Sequence, residues 1–189
     1  MPDILTDLAA QLGAKIALVD DRPAVPGHPA RVVKWSFAEL EANANRLARL
    51  LLELGVSPKD RIVSCGQNSC WLVAMSNAVR KVGAVGVPLN YRLTPDEAAY
   101  VVDNSDAVVI LADAEFADFF AKIRAETPKV RDILIFDGAP APNQTRIEPR
   151  LANLSAAPVE LDGPPLEPMT MIYTSGTTGK PKGAVRSTL

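Results

Sequence analysis

Between Arg31 and Phe136, short apolar runs alternate with capped amphipathic stretches, and this order constrains the fold more than any other feature of the chain. Ile16–Val19 and Arg31–Trp35 read as two short strands around a turn-rich loop that holds the single histidine, His28. Ser36 and Glu39 have capping-box spacing, and Phe37, Leu40, Leu47, Leu51 and Leu54 then recur at helical spacing up to Gly55. Arg61–Cys65 reads as a strand. Asn68 or Ser69 can cap the next helix, whose apolar face is Trp71, Leu72, Met75, Val79 and Val82. Ala84–Pro88 is a short buried strand, in which Gly83 and Gly86 are expected to allow close helix-to-strand packing. Thr94-Pro95-Asp96-Glu97 combines a cap, a proline at the first helical position and an acid at the third. Ala107–Ala112 and Ile133–Phe136 read as strands flanking a helix marked by Phe116, Phe119, Phe120 and Ile123. Such alternation predicts an α/β fold of three layers: a mostly parallel sheet with helices on both faces.

The pattern weakens over 137–168, where seven prolines occur, and this stretch reads as an irregular connection with one short helix near Leu151–Leu154. Over 169–184 the order returns, as an apolar strand, Met169–Thr174, followed by a loop of glycines and hydroxyls that ends in two lysines. The composition suits a polyphosphate. Gly176 and Gly179 let backbone N–H groups turn around an anion. Thr174, Ser175, Thr177 and Thr178 can donate to phosphate oxygens. Lys180 and Lys182 add positive charge. The loop is not a Walker A motif, because two residues separate its glycines and Pro181 follows Lys180. The proline opposes a long helix starting there, so a flexible loop that folds over its ligand is expected.

The string from Tyr173 to Ala184 resembles the phosphate-loop signature of the adenylate-forming superfamily, which includes acyl-CoA synthetases, nonribosomal adenylation domains and firefly luciferase. Trp35–Leu40 resembles the entry to the first long helix of that family. Arg80–Glu97 resembles its second core block, and the wording VPLNYRLTPDE is closest to acyl-CoA synthetases. The resemblance runs from about Ile4 to Ala184. It implies a chain corresponding to the N-terminal portion of the large AMP-binding domain, 1–189, without the mobile C-terminal lid.

The resemblance also implies chemistry. Enzymes of this kind join a small-molecule carboxylic acid, here expected to be a fatty acid, to ATP as an acyl-adenylate, and then to coenzyme A. Mg²⁺ accompanies the nucleotide. Thr174, Ser175, Gly176, Thr177, Thr178 and Gly179 would wrap the β- and γ-phosphates, and Lys182 matches the terminal basic position. Lys180 falls at a variable position and is expected to face solvent, and Tyr173 is expected to pack. Asn90, Tyr91 and Arg92 could contact a ligand, but the expectation is that they fix a turn. Relatives place the adenine-stacking aromatic, the ribose-binding aspartate and the catalytic lysine after the segment matched here, so the catalytic residues are expected beyond Leu189. Many also carry a histidine after the PKG segment, where this sequence reads Ala184-Val185-Arg186. By this reading the 189 residues alone bind ATP weakly and do not catalyse the reaction.

Composition excludes several classes. With 20 basic and 22 acidic residues, the chain has no nucleic-acid footprint. No apolar run has the length of a transmembrane segment, and the N-terminus lacks the pattern of a signal peptide, which fits a cytoplasmic setting. One histidine leaves little for a Ser-His-Asp triad or a histidine metal site, and no metal ligands are assigned. Cys65 and Cys70 read as buried thiols, with a disulfide or metal role as the alternatives. Two further readings stay open: a non-catalytic nucleotide-binding or self-associating module, as in a homodimer paired through a sheet edge, and an unrelated phosphate-binding protein with a similar loop.

Overall fold

A computed structural model describes residues 3–23, 30–160, 169–174 and 180–187. The chain begins with α1 (Ile4–Leu12), capped by the Asp3 side chain. A separate antiparallel pair follows, β1 (Ile16–Arg22) with β2 (Arg31–Ser36). Next come α2 (Phe37–Glu53), β3 (Arg61–Cys65), α3 (Cys70–Lys81), β4 (Val85–Pro88) and α4 (Pro95–Asn104). The chain continues through β5 (Ala107–Asp113), a single 3-10 turn at Ala114–Phe116, α5 (Ala117–Lys122) and β6 (Asp132–Phe136). It ends with β7 (Thr145–Arg146), α6 (Ile147–Leu151), β8 (Met169–Thr174) and β9 (Lys182–Ser187).

Among the described residues, seven strands form one sheet in the order β7-β6-β5-β3-β4-β8-β9. Every neighbouring pair is parallel except β8 with β9. Both faces are covered. Val109 and Leu111 of β5 pack with Leu47, Leu51 and Met75 of α2 and α3 on one side. Their neighbours Ile110 and Ala112 pack with Val102 of α4 and Phe120 of α5 on the other. Successive strand residues point to opposite faces, so a strand buried on both sides needs a continuous apolar run, which β5 supplies. The three-layer α/β expectation holds.

The helix starts follow from local chemistry. At α2, the Ser36 hydroxyl accepts from Glu39 N–H at 3.2 Å, and Glu39 Oε2 accepts from Ser36 N–H at 2.8 Å. Thr94 and Glu97 repeat the arrangement at α4, where Glu97 Oε2 accepts from Thr94 N–H at 2.9 Å. Ser69, not Asn68, caps α3, accepting from Leu72 N–H at 3.2 Å.

Several boundaries differ from the sequence expectation. The region after β6 is less irregular than its prolines suggest, since it contains β7 and α6, with Ile147 and Leu151 buried against the α2 layer. That helix starts at Ile147, short of the expected Leu151–Leu154, because two apolar anchors four apart outweigh Pro149 near its start. Phe116 lies in the 3-10 turn and the helix begins one residue later. Gly83 serves a turn: its φ of 68° is the left-handed region that glycine tolerates best. A Cβ on Gly86 would meet Val79 at an ordinary 3.8 Å, so close packing does not demand glycine there.

Salt bridges tie the small β1–β2 sheet to the carboxyl ends of the large one. Arg22 Nη1 donates to Asp113 Oδ2 at 2.8 Å, and Arg31 Nη2 donates to Asp137 Oδ2 at 2.6 Å.

Candidate functional site

β8 brings the candidate phosphate loop to the carboxyl end of the sheet, the usual place for ligands in open α/β folds. Its register with β4 covers two pairs, Val85 with Met169 and Gly86 with Thr170. Beyond Thr170 its sheet partner is β9, which runs back antiparallel from Thr174–Lys182 to Met169–Ser187. β8 and β9 are therefore the two stems that flank the loop sequence. β9 was not foreseen, because Lys182–Ser187 has no strict apolar alternation, and its strand form comes from pairing with β8.

Of the predicted site residues, Thr174 and Lys182 are described, and both are exposed. As cross-strand partners they project from the same face of the hairpin, the face that also carries Thr170 and Ile172. Ser175, Gly176, Thr177, Thr178 and Gly179 lie outside the described residues, as does His28.

The opposite face turns toward α4. Tyr173 is half-buried, and its hydroxyl donates to Asn104 Oδ1 at 2.8 Å. Burial, then the nearby Tyr100 hydroxyl, pushes the Tyr173 phenol above its ordinary pKa. A Cβ on Gly183 would lie 3.0 Å from the Tyr173 ring, so glycine at this position lets the ring rest across β9. On the other stem, the Tyr100 hydroxyl donates to the Pro181 carbonyl at 3.2 Å. The Lys180 ammonium sits 4.8 Å from the Tyr100 ring centroid. Lys180 is thus exposed, as expected, yet its charge is held over an aromatic face. Sequence reasoning missed Tyr100, Asn104 and Gly183. The available signal was a tyrosine and an asparagine four apart on α4, beside the buried Ala98, Ala99, Val101 and Val102.

On the Thr170 face, Ile62, Ser64, Leu72, Met75, Gly86 and Thr170 are among the residues lining a cleft of about 400 Å³ between α3 and the sheet. Asn90 closes the turn after β4, its Oδ1 accepting from Arg92 N–H at 3.0 Å, as the turn reading anticipated. Cys65 and Cys70 are free and buried. Burial, reinforced by Glu115 and Asp113, pushes the Cys65 thiol up to about 12, and burial also raises Cys70. Among the described residues, no group of three or more His, Cys, Asp and Glu side chains could hold a metal ion. Among them, too, no helix is long and apolar enough to cross a membrane.

A mostly parallel three-layer sheet whose strand β8 leads into a glycine- and hydroxyl-rich string is the arrangement the comparisons share. Residues 5–189 match the family model for AMP-binding enzymes, and the chain belongs to that family. It is 32% identical to a 3-oxocholest-4-en-26-oate–CoA ligase of Rhodococcus rhodochrous over 174 residues, 90% of this chain and 31% of the relative. It is 31% identical to a crotonobetaine/carnitine–CoA ligase of Escherichia coli over 189 residues, 95% of this chain and 34% of that one. The inhibitor-bound N-terminal domain of FACL13 from Mycobacterium tuberculosis matches it with a TM-score of 0.78 at 29% identity, covering 97% of this chain and 43% of that one. The chain spans about a third of the length of the curated relatives it matches.

Proposed function

We propose that this chain contributes the ATP-phosphate site of an acid–thiol ligase that converts a carboxylic acid to an acyl-adenylate and then to an acyl-CoA. One observation carries the reading: the hairpin sets the Thr174 hydroxyl and the Lys182 ammonium on one face, at the two ends of the Gly/Thr loop. In the first step a carboxylate oxygen attacks the α-phosphorus of ATP. The bond to the β-phosphate breaks and pyrophosphate leaves. In the second, the sulfur of coenzyme A attacks the acyl carbon, AMP leaves, and the thiol proton passes to a base.

Within this scheme Thr174, Ser175, Gly176, Thr177, Thr178, Gly179 and Lys182 bind the β- and γ-phosphates. Their work is positioning and charge stabilisation of the leaving group. Mg²⁺ bound with the nucleotide would spread the phosphate charge, and Lys182 would add to that neutralisation. The relatives' names span a steroid acid and small betaines, which supports a carboxylic acid substrate and favours no single one. The two free, buried thiols suit a cytoplasmic setting.

Titrating Mg·ATP and AMP into the chain tests this reading. The loop takes the terminal phosphates, so ATP should bind more tightly; equal affinities would contradict it.

A second reading, self-association, has one observation in its favour. β9 is the edge strand of the sheet among the described residues, and Ile172 and Val185 on this hairpin are 46% and 56% exposed. Sedimentation over a concentration series tests it, and a monomer at every concentration would count against it.

A further inference from the structure

We propose that Tyr100 and Asn104 are positioning residues that clasp the two stems of the hairpin and so hold Thr174 and Lys182 in register. The inference rests on the nucleotide reading above and adds residues that the loop motif does not contain.

The need for a clasp follows from the register. β8 leaves β4 after Thr170, so the outer part of the hairpin, 171–174 with 182–185, runs past the parallel sheet. An isolated two-stranded hairpin is marginal in water. Thr174 and Lys182 sit at the far end of this projection, where motion of the stems would move both. Packing by Met171 and Tyr173 against the α4 and α5 layer steadies one side of β8.

α4 supplies directed contacts to both stems. Tyr100 and Asn104 are four residues apart and therefore share one helix face. Asn104 accepts from Tyr173, the residue before Thr174. Tyr100 donates to the carbonyl of Pro181, the residue before Lys182. The same ring carries the Lys180 ammonium on its face, which fixes a second cation beside the loop exit. The spacing of one helical turn on α4 thus matches the gap between entry and exit stems. Gly183 completes the device, since a side chain there would displace the Tyr173 ring. α4 itself is anchored by the Thr94–Glu97 capping box and by the buried Ala98, Val101 and Val102, which makes it a firm base.

The test is calorimetric titration of Mg·ATP into the 189-residue chain and into the Tyr100→Phe, Asn104→Ala and combined variants. Amide exchange through α2, β8 and β9 is followed on the same proteins. Two ordinary hydrogen bonds are removed, so the combined variant should bind about three- to tenfold more weakly. Exchange should quicken at 171–174 and 182–185 and stay unchanged in α2. Tyr173→Phe removes the same bond as Asn104→Ala from its other end, so pairing these two should weaken binding no further than either alone. Unchanged affinity in the combined variant overturns the clasp and leaves the nucleotide reading standing. Faster exchange throughout α2 marks a general loss of fold and also overturns it. Absence of binding by the unsubstituted chain overturns the nucleotide reading, and the role of the clasp with it.

Discussion

Thr174 and Lys182 are the last register pair of the β8–β9 ladder, so the entry and exit of the phosphate loop leave the sheet side by side. Cross-strand neighbours lie about 5 Å apart, within reach of one phosphate group. In the sequence they look like the two ends of a motif. In the fold they form one cross-strand pair.

Gly183 stands next to that pair and faces the other way. Its missing side chain leaves room for the Tyr173 ring, which a Cβ would approach to 3.0 Å. Gly183→Ala should therefore push the ring away from Asn104 and cost about 1–3 kcal/mol of stability, the usual range for overpacking. Urea unfolding measures it. A midpoint equal to that of the unsubstituted chain would show that the ring relaxes freely.

The thiols give a prediction in the opposite direction, toward inertness. With Cys65 pushed up to about 12, its thiolate fraction at pH 8 is on the order of one in ten thousand. Cys70 is raised and buried as well. An alkylating reagent at pH 8 should label neither residue in the folded chain and both in concentrated urea. Rapid labelling of the folded chain would contradict the burial of this layer.

Acid sensitivity should come partly from Asp3, the N-cap of α1. Burial raises the Asp3 carboxyl, but hydrogen bonds and charge from Lys81 and Arg80 outweigh it and hold the group below its ordinary value. A folded pKa below the unfolded one adds stability above about pH 4 that is lost as the pH falls toward the folded value. Urea midpoints between pH 6 and pH 2.5 should therefore drop more steeply for the unsubstituted chain than for Asp3→Asn. Parallel curves would remove Asp3 from the acid response.

The parts of the fold that were legible in advance are those whose signals are local. The capping boxes at Ser36–Glu39 and Thr94–Glu97 identify helix starts by side-chain reach alone, and both form. The apolar run Ala107–Ala112 reads as a doubly buried strand because both faces are covered. β9 and β7 were invisible because their strand form depends on a neighbour far away in sequence: β8 for one, β6 for the other. The candidate site divides in the same way. Thr174 and Lys182 were proposed from a contiguous string, whereas Tyr100 and Asn104 come into view only when the fold lays α4 beside the hairpin. A helical face shows which residues share a side and not which strand they will meet.

The proposed function requires the segment from Thr174 to Lys182 to bind the phosphates of ATP. Calorimetric titration of Mg·ATP into the chain, beside the paired variant Thr177→Ala/Lys182→Ala, tests it most directly. Measurable binding is expected for the unsubstituted chain, with a loss of about tenfold or more in the variant, from the removal of a hydroxyl donor and an ammonium. Equal binding by the two proteins, or none by either, would contradict it.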